Sequence, residues 1–249
     1  ILFDNQEQVL WIASSVLKKF NPRTKKIDYF QIYSGGIYHD VMVNSFLLDD
    51  EGLIWLGTNA GLFIFNKANN RFYRLEEYFG RLDGIREKVF DWSLQPVESV
   101  YRDYQGYFWI AIDKSIIKLD KHDGISQVFT HEVDNPSSLQ NAKVSGIYGN
   151  DSRVLWVVYA NSGVSRMNIS LRAFRHFRSI PGNPNSLSAN AVRSVYQDSK
   201  KNLWVGNYSD GLDRVVMSDP GKVFHYKCDP LIPNTINSNY VTSILVDSK

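Results

Sequence analysis

The run Val43-Asn44-Ser45-Phe46-Leu47-Leu48-Asp49-Asp50-Glu51-Gly52-Leu53-Ile54-Trp55-Leu56-Gly57-Thr58 is an apolar segment, an acidic-to-glycine turn and a second apolar segment that contains a tryptophan. Its skeleton of Val43, Ser45, Phe46, Asp49, Gly52 and Trp55 returns as Val97, Ser99, Val100, Asp103, Gly106 and Trp109. It returns again as Val192, Ser194, Val195, Asp198, Lys201 and Trp204, with the offsets unchanged. A degraded copy reads Val144, Gly146, Ile147, Asn150, Arg153 and Trp156. Val241, Ser243, Ile244 and Asp247 carry the opening half alone, and Ile1, Asp4 and Trp11 fit the second half with one residue inserted. The acidic position recurs at intervals of about 45 to 54 residues, a period that suits four short strands per unit, as in propeller blades. The units so predicted lie near 1–42, 43–96, 97–143, 144–191 and 192–240, with 241–249 opening the next.

Each part of the phrase has a physical role. Apolar residues around a small one (Ser45, Ser99, Gly146, Ser194) suit an innermost strand buried on both faces, where side-chain volume is limited. Asp followed three residues later by Gly predicts a hairpin turn, the carboxylate bonding local backbone and the glycine accepting positive φ. The tryptophan strand then continues apolar, as in Trp55-Leu56-Gly57-Thr58 and Trp204-Val205-Gly206-Asn207, so the indole is expected to fill the space between neighbouring blades. Turns at Asn59-Ala60-Gly61, Asn161-Ser162-Gly163 and Ser209-Asp210-Gly211 lead into a third strand. The fourth strand is aromatic and basic (Arg71-Phe72-Tyr73-Arg74, Gln127-Val128-Phe129-Thr130, Phe174-Arg175-His176-Phe177, Val223-Phe224-His225-Tyr226) and reads as the edge of each blade. Asn135-Pro136-Ser137-Ser138-Leu139 and Asn183-Pro184-Asn185-Ser186-Leu187 link one unit to the next as turns.

Composition limits the function classes. The chain has 249 residues, 43% hydrophobic and 22% charged, enough to bury a core. Its 28 Lys and Arg against 26 Asp and Glu leave a net charge of +2, too balanced for a nucleic-acid or polybasic membrane binder. The single cysteine, Cys228, has no internal disulfide partner. No run approaches the roughly 18 apolar residues needed to cross a bilayer as a helix.

The Asp-x-x-Gly-x-x-Trp phrase, its Trp-Leu-Gly-Thr continuation and the Asn-Pro-x-Ser-Leu linkers together resemble the two-component regulator propeller repeat, over nearly the whole chain. The resemblance implies an all-β fold, a β-propeller of about five four-stranded blades belonging to a larger, seven-bladed ring. In an alternative closure the strand from Val241 to Asp247 completes the first blade of a five-bladed ring. Proteins of this kind resemble the periplasmic sensor regions of hybrid two-component systems in glycan-degrading Gram-negative bacteria. There, propellers and an immunoglobulin-like module precede a membrane helix and a histidine kinase, and the ligands are oligosaccharides. The partners implied are an oligosaccharide, neighbouring propeller and immunoglobulin-like domains of an inner-membrane sensor, and a second copy in a dimer.

No catalytic motif is present: there is no His-Glu-x-x-His, Gly-x-Ser-x-Gly or Cys-x-x-Cys, and the five histidines lie without metal-ligand spacing. The expectation is therefore no catalytic residues, no metal and no cofactor. Asp49, Asp103 and Asp198 recur in every complete unit and read as turn residues, since an active site is normally unique. The candidate ligand contacts are residues at the turns between second and third strands, Asn59, Tyr159, Asn161, Tyr208 and Asp210, whose amide, phenol and carboxylate groups suit sugar hydroxyls. Trp92 joins them from the irregular insertion between Glu76 and Glu98. A ligand-sensing module is the leading expectation. A protein-interaction scaffold, or a propeller lyase or hydrolase, stands as the alternative.

Overall fold

Alternation of apolar segments with Asp, Asn and Gly turns folds the chain into five antiparallel sheets of four strands each, all laddered in sequence order. The computed structural model describes residues 1–34, 37–38, 40–79, 94–121, 124–150, 153–169, 173–218 and 222–245. It forms two compact units, Ile1–Phe129 and Thr130–Lys249. The first unit begins with β1 (Leu2–Asp4), β2 (Val9–Ala13), β3 (Leu17–Asn21) and β4 (Lys26–Phe30), then a small hairpin of β5 (Tyr33–Ser34) and β6 (Ile37–Tyr38). Its second sheet is β7 (Val43–Leu48), β8 (Leu53–Thr58), β9 (Gly61–Asn66) and β10 (Arg71–Arg74), followed by the short helix α1 (Leu75–Phe79). Its third is β11 (Val97–Arg102), β12 (Phe108–Ile112), β13 (Ser115–Asp120) and β14 (Gly124–Phe129). The second unit holds β15 (Val144–Asn150), β16 (Val154–Tyr159), β17 (Val164–Asn168) and β18 (Ala173–Phe177), then β19 (Val192–Gln197), β20 (Leu203–Asn207), β21 (Leu212–Val215) and β22 (Val223–Tyr226).

The repeated aspartate does more than shape its turn. Asp49 Oδ1 accepts the backbone N–H of Glu51 at 2.9 Å and of Leu53 at 3.0 Å, while Oδ2 accepts the Trp55 indole N–H at 3.0 Å. Asp103 treats Gln105, Tyr107 and Trp109 in the same way, and Asp198 accepts from the Asn202 backbone and the Trp204 indole. One carboxylate thus closes the hairpin and fixes the indole six residues on, which is why the spacing does not drift. In the first sheet the inserted residue stretches the Trp11 to Asp4 bond to 3.4 Å, and Lys67 Nζ joins Asp4 at 2.5 Å. The turn glycines Gly52 and Gly106 have φ of 79° and 92°, and Arg153 and Lys201 hold the same left-handed region at 60° and 68° without being glycine.

In the fourth unit Asn150 replaces the aspartate, and the buried Trp156 Nε1 has no partner among the described residues. An unpaired buried donor costs about 1–3 kcal/mol. Asn150→Asp is therefore expected to stabilise the protein by about 1 kcal/mol, read as a higher urea midpoint with unchanged slope; a lower midpoint would contradict the shared role of this position.

Three of the tryptophans fill the space to the following sheet, as the sequence predicts, while Trp109 stacks on Phe129 of its own sheet. Trp55 stacks on Phe108 with centroids 3.9 Å apart, Trp11 packs with Ile54, Phe63 and Phe65, and Trp156 packs with Val192, Leu203, Val205 and Val215. A Cβ on Gly57 would lie 2.7 Å from Val97 Cγ1 and 3.2 Å from the Val97 carbonyl, so this glycine admits the next innermost strand.

Three expectations need correction. The innermost strands are not buried on both faces: β7 is mostly half-buried and β19 carries an exposed Arg193, whereas β8, β12 and β16 are buried throughout. The pleat explains this, since a strand with sheet contacts along one edge only is shielded mainly on the face packed against its neighbour. Trp204 is half-buried rather than buried, stacked on Tyr226 at 5.7 Å with the Arg214 guanidinium 5.6 Å from its ring. Val241 to Leu245 carries no strand pairing among the described residues, although the Val241 N–H donates to the Asn207 carbonyl at 3.0 Å. The first sheet meanwhile has its own innermost strand, β1, paired with β2 from Leu2 to Asp4.

Candidate functional site

In three sheets the turn after the second strand meets the linker before the innermost strand. Asn59 N–H donates to the Met42 carbonyl at 3.1 Å, Ala160 N–H to Lys143 at 3.0 Å and Tyr208 N–H to Ala191 at 2.9 Å. The opposite ends carry the aspartate turns. Four sheets share one irregularity near this end: the ladder slips between Val43 and Ser45, Val97 and Ser99, Val144 and Gly146, and Val192 and Ser194. A bulge re-aims the extra side chain, and in the fifth sheet that residue is Arg193, which lies over Tyr208.

The second unit gathers an aromatic and charged patch there. Tyr208 is 45% exposed and Tyr240 49%; their rings meet edge to face at 4.8 Å, and the Arg193 guanidinium sits 4.6 Å from the Tyr208 centroid. Asp210 accepts from Ser209 Oγ at 2.8 Å and lies 3.7 Å from Lys227 Nζ. Of the predicted contacts, the structure brings Tyr208 and Asp210 together on one turn, and Asn161 is exposed on the corresponding turn of the fourth sheet. Asn59 is exposed in the first unit, with its Oδ1 already accepting the Met42 N–H at 2.8 Å. Trp92 lies outside the described residues, as do His39 and His122.

Tyr159 is a correction. It ends β16 fully buried, its hydroxyl accepting from Ser165 Oγ at 3.1 Å and from the Gln140 N–H at 3.3 Å, and burial pushes its phenol up to about 12 despite those donors. It belongs to a polar network that anchors the linker: Gln140 Nε2 donates to Ser165 Oγ at 3.2 Å, and His176 Nδ1 lies 2.5 Å from the same oxygen. The fifth sheet repeats the arrangement with different residues. Asp213, fully buried, accepts from Ser188 N–H at 2.8 Å, Ser188 Oγ at 2.6 Å and Asn207 Nδ2 at 3.0 Å, with His225 Nδ1 at 2.7 Å.

Ser188, His225 and Asp213 invite comparison with a nucleophilic triad, and the geometry refuses it. In a triad the serine and the carboxylate meet opposite ring nitrogens. Here both meet Nδ1, while Nε2 faces the Pro184 carbonyl at 2.8 Å. The two histidines differ in charge because their partners differ. Burial, reinforced by Arg178, holds His176 below the ordinary histidine value, the carbonyl of Pro136 offsetting only part of this. Burial also works against charge on His225, yet bonds to Asp213 and Pro184 outweigh it and raise its pKa. These anchors are detectable in sequence, since each Asn-Pro-x-Ser-Leu linker is followed in the next unit by a fourth-strand histidine, His176 after 135–139 and His225 after 183–187. A second unforeseen feature is the cation opposite the indole on the third strand: Lys19 lies 5.6 Å from Trp11 and Lys118 5.6 Å from Trp109.

Comparison with known proteins adds a family match and a likeness of fold. Among solved structures the chain is similar to the extracellular domain of a hybrid two component system from B. thetaiotaomicron, with 21% identity and a TM-score of 0.64, covering 92% of this chain and 30% of that one. The chain thus spans less than a third of that domain. It is also similar to virginiamycin B lyase from Staphylococcus aureus, with 14% identity, a TM-score of 0.62 and coverage of 92% and 70%. A protein of unknown function from Bacteroides caccae is similar at 13% identity, with a TM-score of 0.54 and coverage of 87% and 71%. A search of the curated proteins gave no match. Residues 186–209, which run from the linker serine through the Asp198 turn and the Trp204 strand, match the two component regulator propeller family.

Proposed function

We propose that the chain is a periplasmic ligand-sensing module of a hybrid two-component system, which recognises an oligosaccharide and signals to a histidine kinase elsewhere in an inner-membrane sensor. The repeat match and the likeness to a sensor's extracellular domain support the sensor role. The observation that carries the ligand class is the exposed Tyr208 and Tyr240 pair with Arg193 beside it. Aromatic faces stack on the apolar faces of sugar rings, and guanidinium, amide and carboxylate groups bond the hydroxyls. Neighbouring propellers, an immunoglobulin-like module and a second copy complete the binding site in this reading.

The module is read as a sensor and not an enzyme. The likeness to a lyase is one of fold, and fold does not transmit chemistry. The ring nitrogens of His225 and the Nδ1 of His131 and His176 are held by structural partners.

Calorimetric titration against an oligosaccharide library tests the proposal. The expected result is micromolar or weaker binding, because sugar hydroxyls exchange water for protein partners at small net gain. Tyr208→Ala and Arg193→Ala should each weaken it about tenfold while shifting unfolding by no more than about 0.5 kcal/mol, as exposed positions do. Failure of every glycan, with recovery of a protein partner on the immobilised chain, would move the reading to an interaction scaffold.

A further inference from the structure

A second surface of the second unit, sharing no residue with the Tyr208 patch, has the chemistry of an anion site. An open cleft of about 590 Å³ runs between the linker 131–141 and the outer strand β18. Ser138, Gln140 and Asn141 line one wall; Arg175, His176 and Arg178 line the other. No described residue lining the cleft is a carboxylate. Of the two acids on the linker, Asp134 is exposed between the lining residues Val133 and Asn135, and Glu132 is engaged by Asn135 Nδ2 at 2.9 Å.

Arg175 and Arg178 are both exposed, and neither forms a salt bridge among the described residues. Arg175 stands opposite Arg166 in the β17 to β18 register, cation against cation, with its guanidinium 5.3 Å from the Phe177 ring. The cleft is also preformed. Ser138 Oγ accepts the Glu132 N–H at 3.0 Å and donates to the Glu132 carbonyl at 3.2 Å, while Gln140 and His176 are both fixed on Ser165. The two arginines of one wall and the side-chain amides of the other match a planar or tetrahedral oxyanion, which brings negative charge to the cations and accepts several donors at once.

We propose that this cleft binds an oxyanion group, carboxylate or sulfate, carried by a soluble ligand. The inference stands on the cleft alone and does not require a sugar on the Tyr208 patch.

The test is calorimetric titration of the 249-residue chain with trigalacturonate, with its neutral methyl ester and with a sulfated disaccharide, at 50 and 300 mM salt. Saturable binding of at least one anionic probe is expected, with the methyl ester at least tenfold weaker and a severalfold loss at the higher salt. Heat from trigalacturonate alone assigns the carboxylate, and heat from the sulfated disaccharide alone assigns the sulfate. The double variant R175Q/R178Q should weaken binding at least tenfold with an unchanged melting temperature, and Tyr208→Ala should leave it unaltered. Silence from both anionic probes, equal binding of the ester, or undiminished binding by R175Q/R178Q would overturn the proposal. Loss in Tyr208→Ala but not in R175Q/R178Q would overturn it too, while leaving the sensor reading intact.

Discussion

Trp55→Ala is expected to lower the unfolding free energy by about 3–5 kcal/mol, the range for truncating a large buried aromatic residue. Trp55 is fully buried, stacks on Phe108 at 3.9 Å and donates to Asp49, so the alanine variant leaves a cavity between two sheets and a buried carboxylate oxygen without its donor. Trp204→Ala provides the internal comparison. Its indole is half-buried, and its loss should cost about 1–3 kcal/mol by the lower burial. Urea unfolding of the two variants decides the matter: equal losses would mean that the indoles are not placed as described.

Asp213→Ala carries an effect of similar size. Its carboxylate is fully buried and accepts from Ser188, Asn207 and His225, and each buried partner left unsatisfied by its removal costs about 1–3 kcal/mol. The same cluster makes stability depend on pH. His225 has its pKa raised in the folded protein, so its contribution is complete below the unfolded histidine value of about 6.5 and is lost as pH rises through the folded value. His176 has its pKa lowered, so its contribution runs the other way, present above the unfolded value and lost as pH falls through the folded one. Unfolding of the parent and of His225→Gln across pH 5 to 9 separates them. The parent should lose stability above about pH 6.5, and the variant should lack that loss; an identical slope in both would remove His225 from the account.

The fold was legible because the repeat couples two features in each copy, a carboxylate and an indole six residues apart, and each has one place to go. Asp49, Asp103 and Asp198 were readable as turn residues from their glycine or glycine-like partners, but their bond to the indole was not, because it depends on the hairpin being closed. Burial of individual positions was less legible. Tyr159 stands three residues after its tryptophan, level with the buried Thr58 and Asn207 that end β8 and β20, and Gln140 and Ser165 supply partners that retain its hydroxyl inside. Tyr208 lies one position beyond the end of β20 and turns outward against Arg193. Arg193 itself could not be foreseen as part of the patch, because the bulge that aims it is a matter of register between strands. Likewise, the basic cleft joins residues more than thirty positions apart, Ser138 and Arg175, that no local pattern connects.

The central claim is that the turn-and-linker end of the second unit is the sensing face and the aspartate-turn end is structural. Hydrogen exchange of the protein with and without the best-binding oligosaccharide of the library tests it most directly. The account predicts slowed exchange concentrated at residues 191–193, 208–211 and 239–241. Slowed exchange at the aspartate turns 49–53, 103–107 or 198–202, with none at the Tyr208 patch, would contradict it.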